Sequence, residues 1–461
     1  MIASSSSQSA PKSMAAGVMP NPIITPSEQV LHGPPGLSSG LPRPISLDPS
    51  GVSSNNARMR RGRIAALACA AALSVAAANS SAGTRPLTVR LARALAVPHV
   101  AAARTGAIAF DLTTGTAVFE RNPGLSLAPA SNEKLPVTYA ALEILGPGYR
   151  IETDVLGQGE LVGTTWRGAL VLQGHGDPTL SSADLANLAR QVRAAGIRRV
   201  VGPVLGDESY FDSRRTGPGW KPGFYIRQSA ALSALTVDRT WFHTHHSGAP
   251  AAAAAALFKD ALRRVGVSVT GRATLGKAKT DAEPLGDVVS PPLSQIVRFM
   301  DHESDNFTAE LLLKEIGAST GAVGTTAGGA AQVRSALAEA GIPLAGVRIG
   351  DGSGLSPLDR LTARAIVGVL DAAWDDPMIR PSFVAALAVA GRSGTLKDRL
   401  RAAPARGAVI GKTGTTAIAS ALSGFVRQRY VFSVLQNGNP VSYWWARRAQ
   451  DRFATVLAGS T

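Results

Sequence analysis

The sequence predicts an α/β (α+β) fold in which a central antiparallel sheet is interrupted by a large α/β insertion. Pairs of strands separated by short turns occur near both ends of the chain, and such distant hairpins can join into one antiparallel sheet. The middle of the chain instead repeats a helix, a glycine and a strand, which is typical of α/β units. The 461 residues, 45% of them hydrophobic, are enough for two or three domains.

The first 58 residues are rich in serine, proline and glycine and have almost no hydrophobic periodicity. We predict a disordered or untranslated extension there. Residues 59–83 are predicted to be a signal peptide, because arginines precede an apolar run over 64–78 that ends in small residues. That run is shorter than the roughly 20 residues of a membrane span. The mature chain is therefore expected to be exported without a transmembrane segment, and translation is expected to start at Met59.

Cysteine content and charge narrow the possible partners. The only cysteine, Cys69, lies in the apolar run, so no disulfide is expected in the mature chain. A net charge of +15 suits either an anionic cell envelope or nucleic acid. Export argues against nucleic acid, and no basic stripe with interleaved aromatic residues is present. We therefore expect no nucleic-acid partner.

The two terminal hairpins are predicted from alternating residues. Residues 106–111 and 116–121 alternate around a short turn, and residues 422–426 and 430–435 do the same near the other end. An amphipathic helix that carries Trp444, Trp445 and Phe453 is expected after the second hairpin.

The middle of the chain is predicted to hold three loose copies of the helix, glycine and strand unit. The first has a strand at 169–172, a helix capped near Ser182 and a short strand that ends at Leu205-Gly206. The second has a helix at 251–262 and a strand at 267–276. The third has a helix at 333–340 and a strand at 347–350.

Three short motifs carry the candidate chemistry. Ser131 and Lys134 open a helical stretch and share one face of it. A serine becomes a nucleophile when a base removes its proton and donors hold the oxyanion, and a lysine of lowered pKa can supply the base. Ser304-Asp305-Asn306 precedes an apolar helix, and Lys412-Thr413-Gly414-Thr415 follows a strand at 407–410. Each motif alone is common; in this order and context the three are specific.

With these motifs the chain resembles the D-alanyl-D-alanine carboxypeptidase/endopeptidase family, the low-molecular-mass class C penicillin-binding proteins. Further stretches carry the resemblance, namely Gly174-His175-Gly176-Asp177-Pro178-Thr179-Leu180, Gly217-Pro218-Gly219-Trp220, Asp351-Gly352-Ser353-Gly354-Leu355-Ser356 and Ser393-Gly394-Thr395-Leu396. The resemblance implies a β-lactamase/transpeptidase-like catalytic domain. Its two parts would be residues 84–154 and 285–461, with inserted subdomains at 155–284.

The resemblance also implies roles for individual residues. Ser131 would attack the penultimate D-alanine carbonyl, Lys134 would take its proton, Ser304 would relay a proton to the leaving amine, and Asn306 would orient Lys134 and the substrate. The implied substrate-binding residues are Lys412, Thr413, Gly414 and Thr415. The implied partners are a peptidoglycan stem peptide and β-lactam inhibitors, and no metal or cofactor is expected. The protein would be periplasmic or extracellular and associated with the cell wall.

Two other functions remain open from the sequence. A β-lactamase would use the same acylation but would hydrolyse the adduct rapidly. A catalytically silent wall-binding protein would keep the fold without the chemistry, although the intact Ser131, Lys134, Ser304 and Lys412 argue against it.

Some residues depart from the family pattern. Pro136 lies two residues after Lys134 and could displace that side chain by removing a helical hydrogen bond. His175 replaces a usual glycine. The group His243, His245 and His246 is either a polar loop or a weak metal site. His302 is expected to be a packing or capping residue, and residues 351–356 either shape the cleft or form a plain turn.

Overall fold

The computed structural model describes residues 85–460. The predicted extension and signal peptide lie outside the described residues, as does Cys69. The strands, numbered in chain order, are β1 Thr105–Asp111, β2 Thr116–Arg121, β3 Glu152–Val162, β4 Thr165–Gly174, β5 Arg199–Val201, β6 Val204–Asp207, β7 Trp241–Phe242, β8 His245–His246, β9 Ser268–Val269, β10 Ala273–Leu275, β11 Glu283–Val289, β12 Ala388–Val389, β13 Val409–Thr415, β14 Ala419–Val426 and β15 Tyr430–Asn437.

The helices are likewise numbered in chain order. They are α1 Leu87–Leu95, α2 Lys134–Ile144, α3 Ser182–Ala194, α4 Pro250–Arg264, α5 Leu293–Glu303, α6 Asn306–Ala318, α7 Thr326–Glu339, α8 Ala363–Asp375, α9 Arg380–Ala386 and α10 Tyr443–Ala458.

A six-stranded antiparallel sheet in the order β12-β13-β14-β15-β1-β2 forms the centre of the molecule. β1 pairs with β15 from Thr105 opposite Gln436 to Asp111 opposite Tyr430. This pairing joins the two terminal hairpins, so the predicted central antiparallel sheet is confirmed. The alternation of residues along β1 explains how both faces are covered. Ile108 and Phe110 pack with α2 and α8 on one face, whereas Ala107 and Ala109 pack with α1 and α10 on the other.

A second sheet is built from the middle of the chain. Its strands run in the order β10-β6-β4-β3-β11, with β5 and β9 beside β4, and it contains parallel and antiparallel pairs. Helices α3 and α4 cover it with their apolar faces. The sheet extends from Glu152 to Val289, slightly beyond the predicted insertion at 155–284. Ser181, one residue before the expected position, caps α3 through a capping box with Asp184.

The third predicted repeat is wrong in two respects. Residues 347–350 form no strand; Arg348 makes only an isolated bridge with Arg360. Helix α7 begins at Thr326, earlier than the expected 333, because Thr325 caps a first turn whose glycines hide the helical pattern. α7 packs against α2 and α6 rather than on the second sheet. Within residues 85–460, each helix is too short or too polar to cross a lipid bilayer.

Candidate active site

Ser131 lies in a tight turn at the edge of the central sheet. Residues Ala130–Glu133 form a 3-10 turn that leads into α2 at Lys134, and Ala130 has a left-handed φ of 49°. Two glycines allow other segments to approach this turn. A Cβ on Gly414 would lie 3.0 Å from the Ser131 backbone nitrogen, and a Cβ on Gly354 would lie 1.9 Å from the Ala130 carbonyl oxygen. The close approach of β13 and of the 351–356 loop therefore requires glycine at both positions.

Lys134 is fully buried and its amine contacts Ser131. Nζ lies 3.2 Å from Ser131 Oγ, 2.8 Å from Asn306 Oδ1 and 2.7 Å from the Ser353 carbonyl oxygen. A neutral amine has two N–H donors and one lone pair. The amide and carbonyl oxygens can accept both N–H groups, which leaves the lone pair for the Ser131 hydroxyl proton. The contacts thus match a neutral lysine that accepts a proton from Ser131.

Pro136 does not displace Lys134. The α-helix begins at Lys134, so Pro136 lies in its first turn, where backbone N–H groups have no partner within the helix. The side chains of Ser131 and Lys134 point toward each other despite the proline.

Burial lowers the pKa of Lys134, and nearby carboxylates oppose this shift. The carboxylates that oppose it are Asp351, Asp301, Asp305 and Glu310. Burial raises the pKa of Glu310 to about 8, with the charge of Asp351 as the next cause. Burial also raises the pKa of Glu133 well above its usual value. Both glutamates are therefore neutral near pH 7, and the opposition to loss of the lysine proton is weakened.

Ser304, Asp305 and Asn306 form the junction between α5 and α6. Ser304 ends α5 in a left-handed conformation with φ 61°. Asp305 caps α6 by accepting from the Thr308 backbone N–H at 2.8 Å, and it pairs with Arg239 of the inserted region at 2.6 Å. Asn306 accepts from Lys134 and donates through Nδ2 to the Gln228 carbonyl oxygen at 3.0 Å. The junction therefore presents the hydroxyl and the amide toward the two lysines.

Lys412 is the second buried lysine of the site. Its Nζ donates to Ser304 Oγ at 2.8 Å and to the Thr413 carbonyl oxygen at 3.1 Å. Burial lowers its pKa to about 7, the positive charge of Lys134 lowers it further, and Asp301 opposes this. Asn132 Nδ2 donates to the Lys412 carbonyl oxygen at 2.9 Å, which ties β13 to the turn that carries Ser131.

Thr413, Gly414 and Thr415 complete the predicted substrate-binding segment. All three lie in β13, and the alternation of a strand places Thr413 and Thr415 on the same side. Thr415 is exposed and Thr413 is largely buried. The structure therefore brings the eight predicted site residues to one edge of the sheet.

The 351–356 loop contributes directly to the site, through groups that the sequence analysis did not identify. Asp351 Oδ1 accepts from the backbone N–H groups of Ser353 and Gly354 at 3.1 and 2.7 Å. Its Oδ2 accepts from Trp220 Nε1 and the Ser356 N–H, both at 2.7 Å. These bonds fix the Ser353 carbonyl against Lys134 and link the loop to the Gly217–Trp220 segment. The loop is therefore more than a plain turn.

The sequence analysis also missed the buried carboxyl groups behind Lys134. Glu310 Oε1 accepts from the Gly352 and Ser353 N–H groups at 3.1 and 2.9 Å, and Asp359 Oδ1 accepts from the Gly350 and Asp351 N–H groups at 2.6 and 3.0 Å. Neither oxygen of Glu133 has a hydrogen-bond partner among the described residues. An available signal was the presence of Glu310, Lys314 and Glu315 in an otherwise apolar helix.

The histidines lie apart from this chemistry. His302 Nδ1 contacts Glu303 Oε1 at 2.8 Å. His245 and His246 form β8, and His246 Nδ1 lies 3.2 Å from Thr240 Oγ1. No group of three or more histidine, cysteine, aspartate or glutamate side chains is arranged to hold a metal ion within residues 85–460.

Comparisons with known proteins match most of the chain. The D-Ala-D-Ala carboxypeptidase 3 (S13) family model matches residues 87–247 and 242–458. A D-alanyl-D-alanine carboxypeptidase of Actinomadura sp. is 33% identical over 429 residues, which cover 74% of this chain and 79% of that protein. Carboxypeptidase DacB of Mycolicibacterium smegmatis is 32% identical, over 81% of this chain and 84% of that protein.

The fold has a solved counterpart. The crystal structure of penicillin binding protein 4 (dacB) from Haemophilus influenzae superposes with a TM-score of 0.70 at 21% identity, covering 81% of this chain and 98% of that one. The same protein has been solved with a β-lactam. The predicted fold class, family resemblance and enzymatic nature are thereby confirmed. The chain belongs to the D-Ala-D-Ala carboxypeptidase 3 (S13) family of peptidases.

Proposed function

We propose that this protein is an exported serine-type D-Ala-D-Ala carboxypeptidase/endopeptidase that cleaves peptidoglycan stem peptides through an acyl-enzyme on Ser131 and is acylated by penicillins. The contact between Lys134 Nζ and Ser131 Oγ, with both amine N–H groups directed to Asn306 and Ser353, carries the proposal. Family membership supports the reaction class.

Acylation begins with proton transfer from Ser131 to Lys134. The alkoxide oxygen attacks the carbonyl carbon of the penultimate D-alanine, and the negative charge moves to the carbonyl oxygen. Backbone N–H groups of Ser131 and Thr415 are proposed to hold this oxyanion, since Gly414 lets β13 lie against the Ser131 nitrogen.

The leaving D-alanine takes its proton from Ser304. The C–N bond breaks, an ester forms on Ser131, and Ser304 Oγ is re-protonated through its hydrogen bond with Lys412. Water then attacks the ester with Lys134 as the base, which releases the shortened peptide and restores Ser131.

The terminal carboxylate of the substrate is proposed to bind beside Lys412. As an ammonium, Lys412 has three donors, and Ser304 and Thr413 accept two of them. The hydroxyl groups of Thr413 and Thr415 add donors on one side of β13. An endopeptidase reaction uses the same acylation on a cross-link between two stem peptides.

Penicillin labelling tests the nucleophile. The H. influenzae protein binds a β-lactam, so a labelled penicillin is a suitable probe. We expect a long-lived adduct on the peptide that contains Ser131, lost in Ser131→Ala and kept in the control Ser319→Ala, whose hydroxyl donates only to the Ile316 carbonyl. Rapid penicillin turnover would instead indicate a β-lactamase. Absence of both adduct and turnover would indicate a silent wall-binding protein.

Export is tested separately. Residues 59–83 have the order of charges, apolar run and small residues of a signal peptide. N-terminal sequencing of the protein from the cell exterior should place the mature terminus after residue 78. A cytoplasmic protein that keeps residues 59–83 would contradict the proposal.

A further inference from the structure

A strongly basic cavity lies on the side of the central sheet opposite α2. It has a volume of about 900 Å³ and is bounded by α1, α10 and residues 399–403. Seven arginines line it, namely Arg90, Arg93, Arg399, Arg401, Arg447, Arg448 and Arg452. Asp451 is the single acidic lining residue. The proposed peptidase reaction uses none of these side chains.

Most of this positive charge is uncompensated. Asp451 pairs with Arg399 at 2.6 Å, and no other lining arginine forms an ion pair within residues 85–460. The Nε of Arg447 is buried without a hydrogen-bond partner among the same residues. Burial lowers the pKa of Arg447, and the charge of Arg399 lowers it further. Like charges held this close are unfavourable unless an anion binds between them.

Exposed aromatic rings stand at the rim of the cavity. Tyr443 is 43% exposed and Trp444 57% exposed at the start of α10. The guanidinium of Arg447 lies 4.1 Å from the Tyr443 ring centroid, and that of Arg448 lies 4.9 Å from the Trp444 ring centroid. Amphipathic rings beside cations are typical of surfaces that enter the headgroup region of a bilayer. An inorganic anion would leave these rings without a function.

We propose that this basic cavity binds the phosphate headgroups of an anionic lipid bilayer, with Tyr443 and Trp444 entering the interface. The phosphates would lie between the unpaired arginines, where each cation contributes to binding at an anionic surface. The active site would remain free, because Ser131 and α2 lie on the other face of the sheet from α1 and α10.

Vesicle sedimentation tests the proposal. The mature protein is mixed at physiological salt with vesicles of phosphatidylcholine, either pure or containing one third phosphatidylglycerol. Wild type should bind only the anionic vesicles. The double variant Arg448→Glu/Arg452→Glu should lose at least roughly 30-fold in affinity. The control Arg190→Glu/Arg264→Glu makes the same charge change at exposed sites on α3 and α4 and should stay within about threefold of wild type.

Further variants and probes keep the test sharp. Trp444→Ala should weaken binding several-fold without changing net charge, and thermal unfolding should show that each variant is folded. Equal losses in the two double variants would overturn the proposal. So would equal binding to neutral vesicles, or binding of inorganic phosphate or duplex DNA to the cavity while anionic vesicles are left unbound. Because none of these readouts depends on acylation, failure here is distinguishable from failure of the peptidase assignment.

Discussion

The two buried lysines of the active site differ in what surrounds them. Burial lowers the pKa of both Lys134 and Lys412, because neither ammonium is hydrated. Lys134 has oxygen acceptors for two N–H groups and a serine hydroxyl at the third position. Lys412 has acceptors for only two N–H groups, and its remaining donor faces the proposed carboxylate site.

This difference suggests how one proton is distributed between the two lysines. Each positive charge destabilises the other, and the positive charge of Lys134 lowers the pKa of Lys412. A substrate carboxylate beside Lys412 would stabilise the ammonium there and drive Lys134 toward the neutral amine. Substrate binding would thus prepare the base that activates Ser131. The variants below test this division of roles, from the largest expected effect to the smallest.

Replacement of each lysine by arginine should separate base from cation. A guanidinium cannot lose its proton, so Lys134→Arg should lower the rate constant of acylation by roughly 10³-fold or more. Lys412→Arg retains the positive charge and should lose only about tenfold. Acylation by labelled penicillin measures both rates, and thermal unfolding checks that both variants fold. Equal losses in the two variants would contradict the division.

Asp351→Asn should disturb the loop that holds Lys134. The new amide cannot accept from both Trp220 Nε1 and the Ser356 N–H, so we expect a loss of at least about 2 kcal/mol of stability and roughly 10–100-fold in kcat. Because the charge of Asp351 raises the pKa of Lys134, its removal should lower that pKa. The rising limb of the acylation rate should then move to lower pH. A rate loss without this movement would limit Asp351 to a structural role.

The affinity for the substrate carboxylate should depend on pH. The pKa of Lys412 is lowered to about 7, so the ammonium is present below that pH and is lost above it. For a peptide that ends in free D-alanine, kcat/KM should fall by up to tenfold per pH unit above about pH 7. A peptide with a C-terminal amide should lack this fall, as should Lys412→Arg with the free peptide. A fall of the same size with all three would place the titrating group elsewhere.

Glu310→Gln should have the smallest effect. The pKa of Glu310 is raised to about 8, so the carboxyl group is neutral at pH 7 and glutamine reproduces its shape and its accepting oxygen. Activity at pH 7 should remain within about threefold of wild type, since one accepting oxygen is kept. A loss of a hundredfold would mean that the group is ionised in the working enzyme. Glu310→Leu serves as the contrasting variant, because it leaves the Gly352 and Ser353 N–H groups without an acceptor.

The sequence predicted those parts of the fold that depend on local alternation and on short motifs. The hairpins at 106–121 and 422–435 could be recognised because β1, β2, β14 and β15 have short turns and residues of strand type. The three catalytic motifs could be recognised because serine, lysine and asparagine chemistry requires particular residue types at fixed spacing.

Other features depend on long-range packing and could not be predicted. The Ser353 carbonyl is a backbone group, and only the fold of the 351–356 loop directs it to Lys134. Glu133 and Glu310 look like ordinary surface acids in sequence, and their burial arises from the packing of α2, α6 and the 351–356 loop. The strand expected at 347–350 is absent because its residues meet only Arg360 and no sheet edge.

The distribution of the proton can be measured directly. Eight lysines lie between residues 85 and 460, so the carbon-13 NMR signals of their ε-carbons can be assigned with single Lys→Arg variants. The titration is followed in Ser131→Ala saturated with a stem peptide that ends in D-Ala-D-Ala. We expect Lys134 to lose its proton well below the ordinary lysine pKa of about 10.4 while Lys412 keeps its proton. A protonated Lys134 beside a neutral Lys412 in this complex would contradict the role of Lys134 as the base.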